Sequence, residues 1–149
     1  MNKNYDKAFE FIMKWEGYKS DDPDDSGGRT IFGISERFHP ETVKRLWDLP
    51  KAEAREEAKI FYKVEYWDRY RCGGYADGED VFFFDCYINM KPSDVGIIRE
   101  SIFKLGYGLA DPFFARMRLY SQKVKEKPIK IKYLRGWLNR VIDLWEYLK

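Results

Sequence analysis

The sequence is poor in the residues that build metal and thiol sites. It has one histidine, His39, and two cysteines, Cys72 and Cys86, in 149 residues. A triad or a metal centre on His39 lacks nearby partners, so the histidine is expected at a helix start or on the surface. Two cysteines are too few for a disulfide framework, and no CxxC pair suggests zinc. They are read as free thiols of a reducing compartment, with a single bridge left open. No apolar run nears the ~18 residues of a membrane span. The opening "MNKNYDKAFEF" lacks the apolar stretch of a signal peptide, and cytoplasmic synthesis is the expectation. Internal repeats and low-complexity tracts are absent, and net charge is only +2.

What is present points to a folded globule. Hydrophobic residues make up 44%, aromatics 18% and charged residues 35%, a balance that excludes disorder and favours one compact domain over 1–149. The charge is uneven. Between Lys123 and Arg140 stand seven Lys or Arg and one acid, Glu126. Such a stretch is either a solvated helix face or a surface for a polyanion.

The periodicity predicts a mainly α chain with one β-prone excursion. Residues 6–16 form a helix with Phe9, Ile12, Met13 and Trp15 on its apolar side, closed by a left-handed Gly17. Residues 18–35 are rich in turns and end in the β-prone "RTIFGIS", which predicts a small hairpin. Pro40 opens a helix to about Trp47, and Pro50 breaks it. Residues 51–71 form the strongest helix, stopped by Gly73 and Gly74. "DVFFFDCYIN" at 80–89 is too apolar for a surface helix and is placed in the core. Further helices cover 94–105 and 112–127, and an amphipathic helix ends the chain.

The acidic stretch "WEGYKSDDPDDSGGRTIFGIS", residues 15–35, carries the chemistry. As an EF-hand loop it begins well with Asp22, Asp24, Ser26 and Gly27, but position 12 falls on Gly33 where a bidentate glutamate is required. No metal and no cofactor are therefore expected. As half of a glycosidase site it is more complete. Glu16 falls at a helix C-terminus, where unpaired carbonyls and the aromatic Trp15 and Tyr18 would raise its pKa, as a general acid needs. Asp25 lies in a loop where water keeps it ionised, and Thr30 offers a hydroxyl to hold a water. The alternative is a surface acid and a turn former.

The spacing of Glu16, Gly17, Asp25, Gly27, Gly28, Thr30, Phe32, Gly33 and Ile34 resembles the N-terminal motif of the glycoside hydrolase family 108 muramidases, which runs E-G-G-Y, D-P-G-G-A-T, then an aromatic and G-I-T. Trp67, Asp85 and Asn89 match that family's central helices. Leu134, Gly136, Trp137, Asn139 and Arg140 resemble the peptidoglycan-binding segment that often follows. Tyr18 replaces the motif's second glycine, Ser26 its proline, and Met90–Lys91 a small or His-Gly pair.

The resemblance implies a lysozyme-like α+β fold, with a catalytic part over 1–90 and a helical wall-binding part over 91–149. It implies cleavage of the β-1,4 bond between N-acetylmuramic acid and N-acetylglucosamine. Glu16 would be the general acid, with Asp25 and Thr30 handling water or stabilising the oxocarbenium-like transition state. Tyr18, Asp85, Asn89, Trp137 and Arg140 are expected to contact substrate, although a buried network role is equally open to Asp85 and Asn89, and a core role to Trp137. The enzyme would be a monomeric endolysin of phage or prophage origin, reaching peptidoglycan through a partner such as a holin. Two rivals remain: a catalytically weak wall-binding module, and a nucleic-acid binder using residues 123–140 with Tyr133 and Trp137.

Overall fold

The computed structural model describes residues 3–21, 28–105 and 110–149. It resolves two compact units, Met1–Gly73 and Gly74–Lys149, whereas the motifs suggested a division at residue 90. Among the described residues the chain is mainly helical with one small antiparallel sheet, the composition of a lysozyme-like α+β fold.

The first unit begins with α1 (Lys3–Trp15). Its apolar residues recur at three- and four-residue steps, so Tyr5, Ala8, Phe9 and Ile12 are all buried on one stripe, with Phe11 beside them. Three two-residue strands follow, β1 (Lys19–Ser20), β2 (Thr30–Ile31) and β3 (Ile34–Ser35), paired antiparallel in that order. Ile31 faces Lys19 on one side and Ile34 on the other. The expected single hairpin is thus a three-stranded meander.

Helix α2 (Pro40–Trp47) has the predicted bounds, with Pro40 in its first turn and His39 at its N-cap. The His39 ring meets Phe61 edge-on at 4.8 Å, which fits the expected helix-start role. Helix α3 (Lys51–Tyr62) runs antiparallel to α1. Asp6 pairs with Lys59 and Glu10 with Arg55, so a four-residue step up one helix matches a four-residue step down the other.

The helix predicted over 51–71 is not α-helical throughout. After Tyr62 it widens into a π-helical stretch, Lys63–Asp68, and ends at Arg71 with φ 53°. Buried Tyr62 and Trp67 are five residues apart, a spacing that an i→i+5 turn brings to one side. Arg71 therefore reverses the chain before either glycine that was expected to stop it.

The second unit starts with α4 (Glu79–Asn89), entered through Gly78 at φ 85°. Residues 80–87 are all buried, as a helix apolar on every side requires. Helices α5 (Pro92–Leu105), α6 (Ala110–Glu126) and α7 (Ile131–Leu148) then pack in sequence, α5 on α6 and α6 on α7. Cys72 and Cys86 are both buried and neither is in a disulfide. No helix among the described residues is long and apolar enough to cross a membrane.

Candidate active site

Glu16 is delivered by the end of α1. Its amide donates to the Ile12 carbonyl at 3.1 Å, so the helical path continues one residue past Trp15. The side chain is half-buried. The left-handed glycine expected at position 17 is not found: positive φ occurs at Gly28, Gly33 and Gly78, and at Phe32 and Arg71. The chain leaves the helix by pairing β1 with β2 instead, which needs no reversal at Gly17.

The reversal that matters lies between β2 and β3. Phe32 (φ 49°) and Gly33 (φ 79°) are the two central residues of a two-residue hairpin, both left-handed as a type I′ turn demands. A left-handed phenylalanine costs about 1–2 kcal/mol. Three contacts hold it there. The Phe32 amide donates to the Tyr18 carbonyl at 2.8 Å, and the Tyr62 hydroxyl donates to the Phe32 carbonyl at 2.9 Å. The buried Phe32 ring lies 5.1 Å from that of Tyr18.

This turn sets the position of Glu16. A Cβ added to Gly33 would stand 2.6 Å from Glu16 Oε2 and 2.8 Å from both Glu16 Cδ and the Tyr62 hydroxyl. The carboxyl group therefore rests against bare backbone, a place only glycine leaves open. Tyr66 is close enough to feel it. Its hydroxyl is held above the usual phenol range chiefly by burial, with the negative charges of Glu65 and Glu16 adding to the effect.

On its open side Glu16 borders a cavity of about 320 Å³, walled by Tyr18 and Phe32 and by Lys14, Lys51 and Arg55. Its volume is at the low end for small-ligand sites. Arg55 is already engaged by both oxygens of Glu10 at 2.8 Å. Lys51 Nζ instead lies 4.9 Å from the centre of the Tyr18 ring. A carboxyl group and aromatic walls around one cavity suit proton transfer to a polar, ring-shaped substrate.

Among the residues singled out from sequence, Glu16 and Tyr18 come together here. Thr30 is half-buried on β2, paired with Ser20 and Ser35 and two residues ahead of the turn that Glu16 touches. Asp25 and the acidic positions of the EF-hand comparison, Asp22 and Asp24, lie outside the described residues. Sequence reasoning placed Gly33 in a tight turn, as found, but missed its contact with Glu16 and the parts played by Tyr62 and Lys51. A Phe-Gly pair between two β-prone dipeptides was the available signal for the turn. Nothing local marked Tyr62.

Asp85, Asn89, Trp137 and Arg140 belong to the second unit. Asp85 is a correction to the expected substrate contacts. Its side chain is 0% exposed, with Oδ2 2.6 Å from Arg116 and Oδ1 2.9 Å from Arg140. A carboxylate enclosed by two guanidinium groups has no face left for a sugar, so it has the network role instead, tying α4 to α6 and α7. Arg140 is committed to the same cluster, with 11% of its side chain exposed. Asn89 is exposed but gives its amide to the Asp85 carbonyl at 2.8 Å. Trp137 stacks between Tyr120, at 4.9 Å, and Tyr133, at 6.0 Å.

A helix-borne carboxyl group seated on a β-turn beside a cleft is an arrangement fit for glycosidic bond cleavage, and the chain is a glycoside hydrolase. It belongs to the family described as Glycosyl hydrolase 108, whose pattern matches residues 9–90, more than half of the chain. The matched stretch takes in Glu16, the strands and α4. No curated protein and no solved structure matches.

Proposed function

We propose that the chain is a peptidoglycan hydrolase of the N-acetylmuramidase type, with Glu16 as its general acid. The observation that carries this is the seat of Glu16: the carboxyl group is packed against Gly33 near the Tyr62 hydroxyl, and the residue lines the cavity. In this mechanism Glu16 gives its proton to the glycosidic oxygen as the bond from C1 of N-acetylmuramic acid to that oxygen breaks. The N-acetylglucosamine portion leaves as an alcohol. Water adds to C1 and releases its own proton to a carboxylate, with Asp25 and Thr30 placing the water. Digestion of purified peptidoglycan, followed by borohydride reduction, tests the bond assignment. The products should carry reduced muramic acid at their new ends; reduced glucosamine would contradict it.

The second unit has a separate part to play in the same proposal. Trp137 and the half-exposed Tyr133 present stacked rings on α7, flanked by Lys130, Lys132 and Arg135. Exposed Tyr133 with its flanking cations suits an anionic polymer, which supports wall binding by the helical part. Removing both rings, Tyr133→Ala with Trp137→Ala, should lower sedimentation with peptidoglycan; unchanged sedimentation would remove this role.

A further inference from the structure

We propose that Lys51, with Lys19 behind it, forms an anion subsite beside Glu16 that takes a carboxylate of the peptide stems on the glycan. This rests on the hydrolase reading above and names what its substrate must carry. The observation is a ladder of alternating cations and aromatic rings. Lys51 lies 4.9 Å and Lys19 5.2 Å from the Tyr18 ring. Lys19 also lies 4.9 Å from the Trp47 ring, and Arg29 closes the row at 5.0 Å from it.

The two ends of the ladder differ in charge. Arg29 is neutralised by Glu36, which it grips at 2.7 and 3.2 Å. Lys19 gives a hydrogen bond to the Trp47 carbonyl, an uncharged partner. Lys51 has no carboxylate partner among the described residues, and it is exposed where it lines the cavity that Glu16 borders. Lys51 is also the first residue of α3, where the helix dipole adds positive potential to its own charge. The net positive end therefore opens beside the proposed acid.

A neutral polysaccharide gains little from such an end. A glycan whose alternate sugars bear acidic peptides brings carboxylates next to the scissile bond. The aromatic rings are already covered by the ammonium groups, so the ladder offers charged N–H donors more than bare stacking faces. A nucleic acid is the other polyanion to consider, but the walls Tyr18 and Phe32 pack against each other and leave no paired faces for a base.

The test compares kcat/KM on intact peptidoglycan with that on the same glycan stripped of its peptides by an amidase. Wild type should prefer the intact polymer, and the preference should shrink with added salt. Lys51→Ala should lower the intact-to-stripped ratio about three- to fivefold, mostly through KM, with Lys51→Glu exceeding this and Lys51→Arg restoring most of it. An unmoved ratio in folded variants overturns the subsite. So does Lys51-dependent retention of single-stranded DNA that exceeds retention of the wall polymer. If wild type cleaves neither polymer, the hydrolase proposal fails on its own. Sedimentation then decides the subsite: loss of the intact-over-stripped binding preference in Lys51→Glu upholds it, and no change sinks it.

Discussion

Gly33→Ala is the sharpest perturbation of the site, because one methyl group acts on two features at once. The backbone sits at φ 79°, where an L side chain costs about 1–2 kcal/mol. The new Cβ would also stand 2.6 Å from Glu16 Oε2. To reach an ordinary contact near 3.4 Å the carboxyl group must move by roughly 0.8 Å. The Tyr62 hydroxyl, at 2.8 Å, must give way as well, which weakens its bond to the Phe32 carbonyl. Strain and the weakened bond together predict a loss of about 1–3 kcal/mol and a drop in Tm of roughly 3–8 °C. Displacing a catalytic group by about 1 Å costs on the order of 10²-fold in rate. The assays are thermal unfolding and release of reducing ends from peptidoglycan. Gly17→Ala is the control: nothing lies within 4 Å of its new Cβ, and its stability should stay within about 0.5 kcal/mol of wild type. A Gly33→Ala variant with wild-type Tm and wild-type turnover would refute the argument that this turn seats Glu16.

Other parts of the molecule give further predictions. Tyr62→Phe removes the hydrogen bond that holds Phe32 left-handed and should cost about 1 kcal/mol in chemical denaturation; no loss would mean the turn needs no such tie. Asp85→Asn leaves two buried guanidinium groups facing a neutral amide and should destabilise by about 3–5 kcal/mol, read from the denaturation midpoint. Gly136→Ala lies within α7 with open space around the added methyl group, and should stabilise by about 0.5–1 kcal/mol. Burial pushes the Cys86 thiol up from 9.0 to about 12, so its contribution to stability is full below pH 9 and is lost as pH rises from there toward 12. Cys86→Ala should flatten that alkaline decline in stability-against-pH curves; an unchanged slope would assign the decline to other groups.

How much of this was legible in the sequence varies with how local the cause is. Pro40 and Pro50 fixed both ends of α2, because proline constrains the backbone at its own position. Residues 80–87 read as core because apolar residues fall on every side of that helix, interrupted only by Asp80 and Asp85. The π-helical stretch was hidden. Good helix formers run through 51–71, and only the need to bury Tyr62 and Trp67 together, a tertiary demand, widens the turn. Asp85 shows the same limit. Its spacing to Asn89 put both on one helix face, but burial against Arg116 and Arg140 depends on residues 31 and 55 positions away. The site was half visible. Glu16 at a helix end follows from local periodicity, whereas its contact with Gly33 depends on the strands folding back.

The central claim, that Glu16 is the proton donor, is tested most directly by Glu16→Gln. The substitution keeps shape and removes the acid, so Gly33 and Tyr62 see a side chain of equal size. Reducing ends released from purified peptidoglycan are the readout, with Tm as the check on folding. The account predicts a folded variant whose rate falls by about 10²–10⁴-fold. Release at the wild-type rate would contradict it.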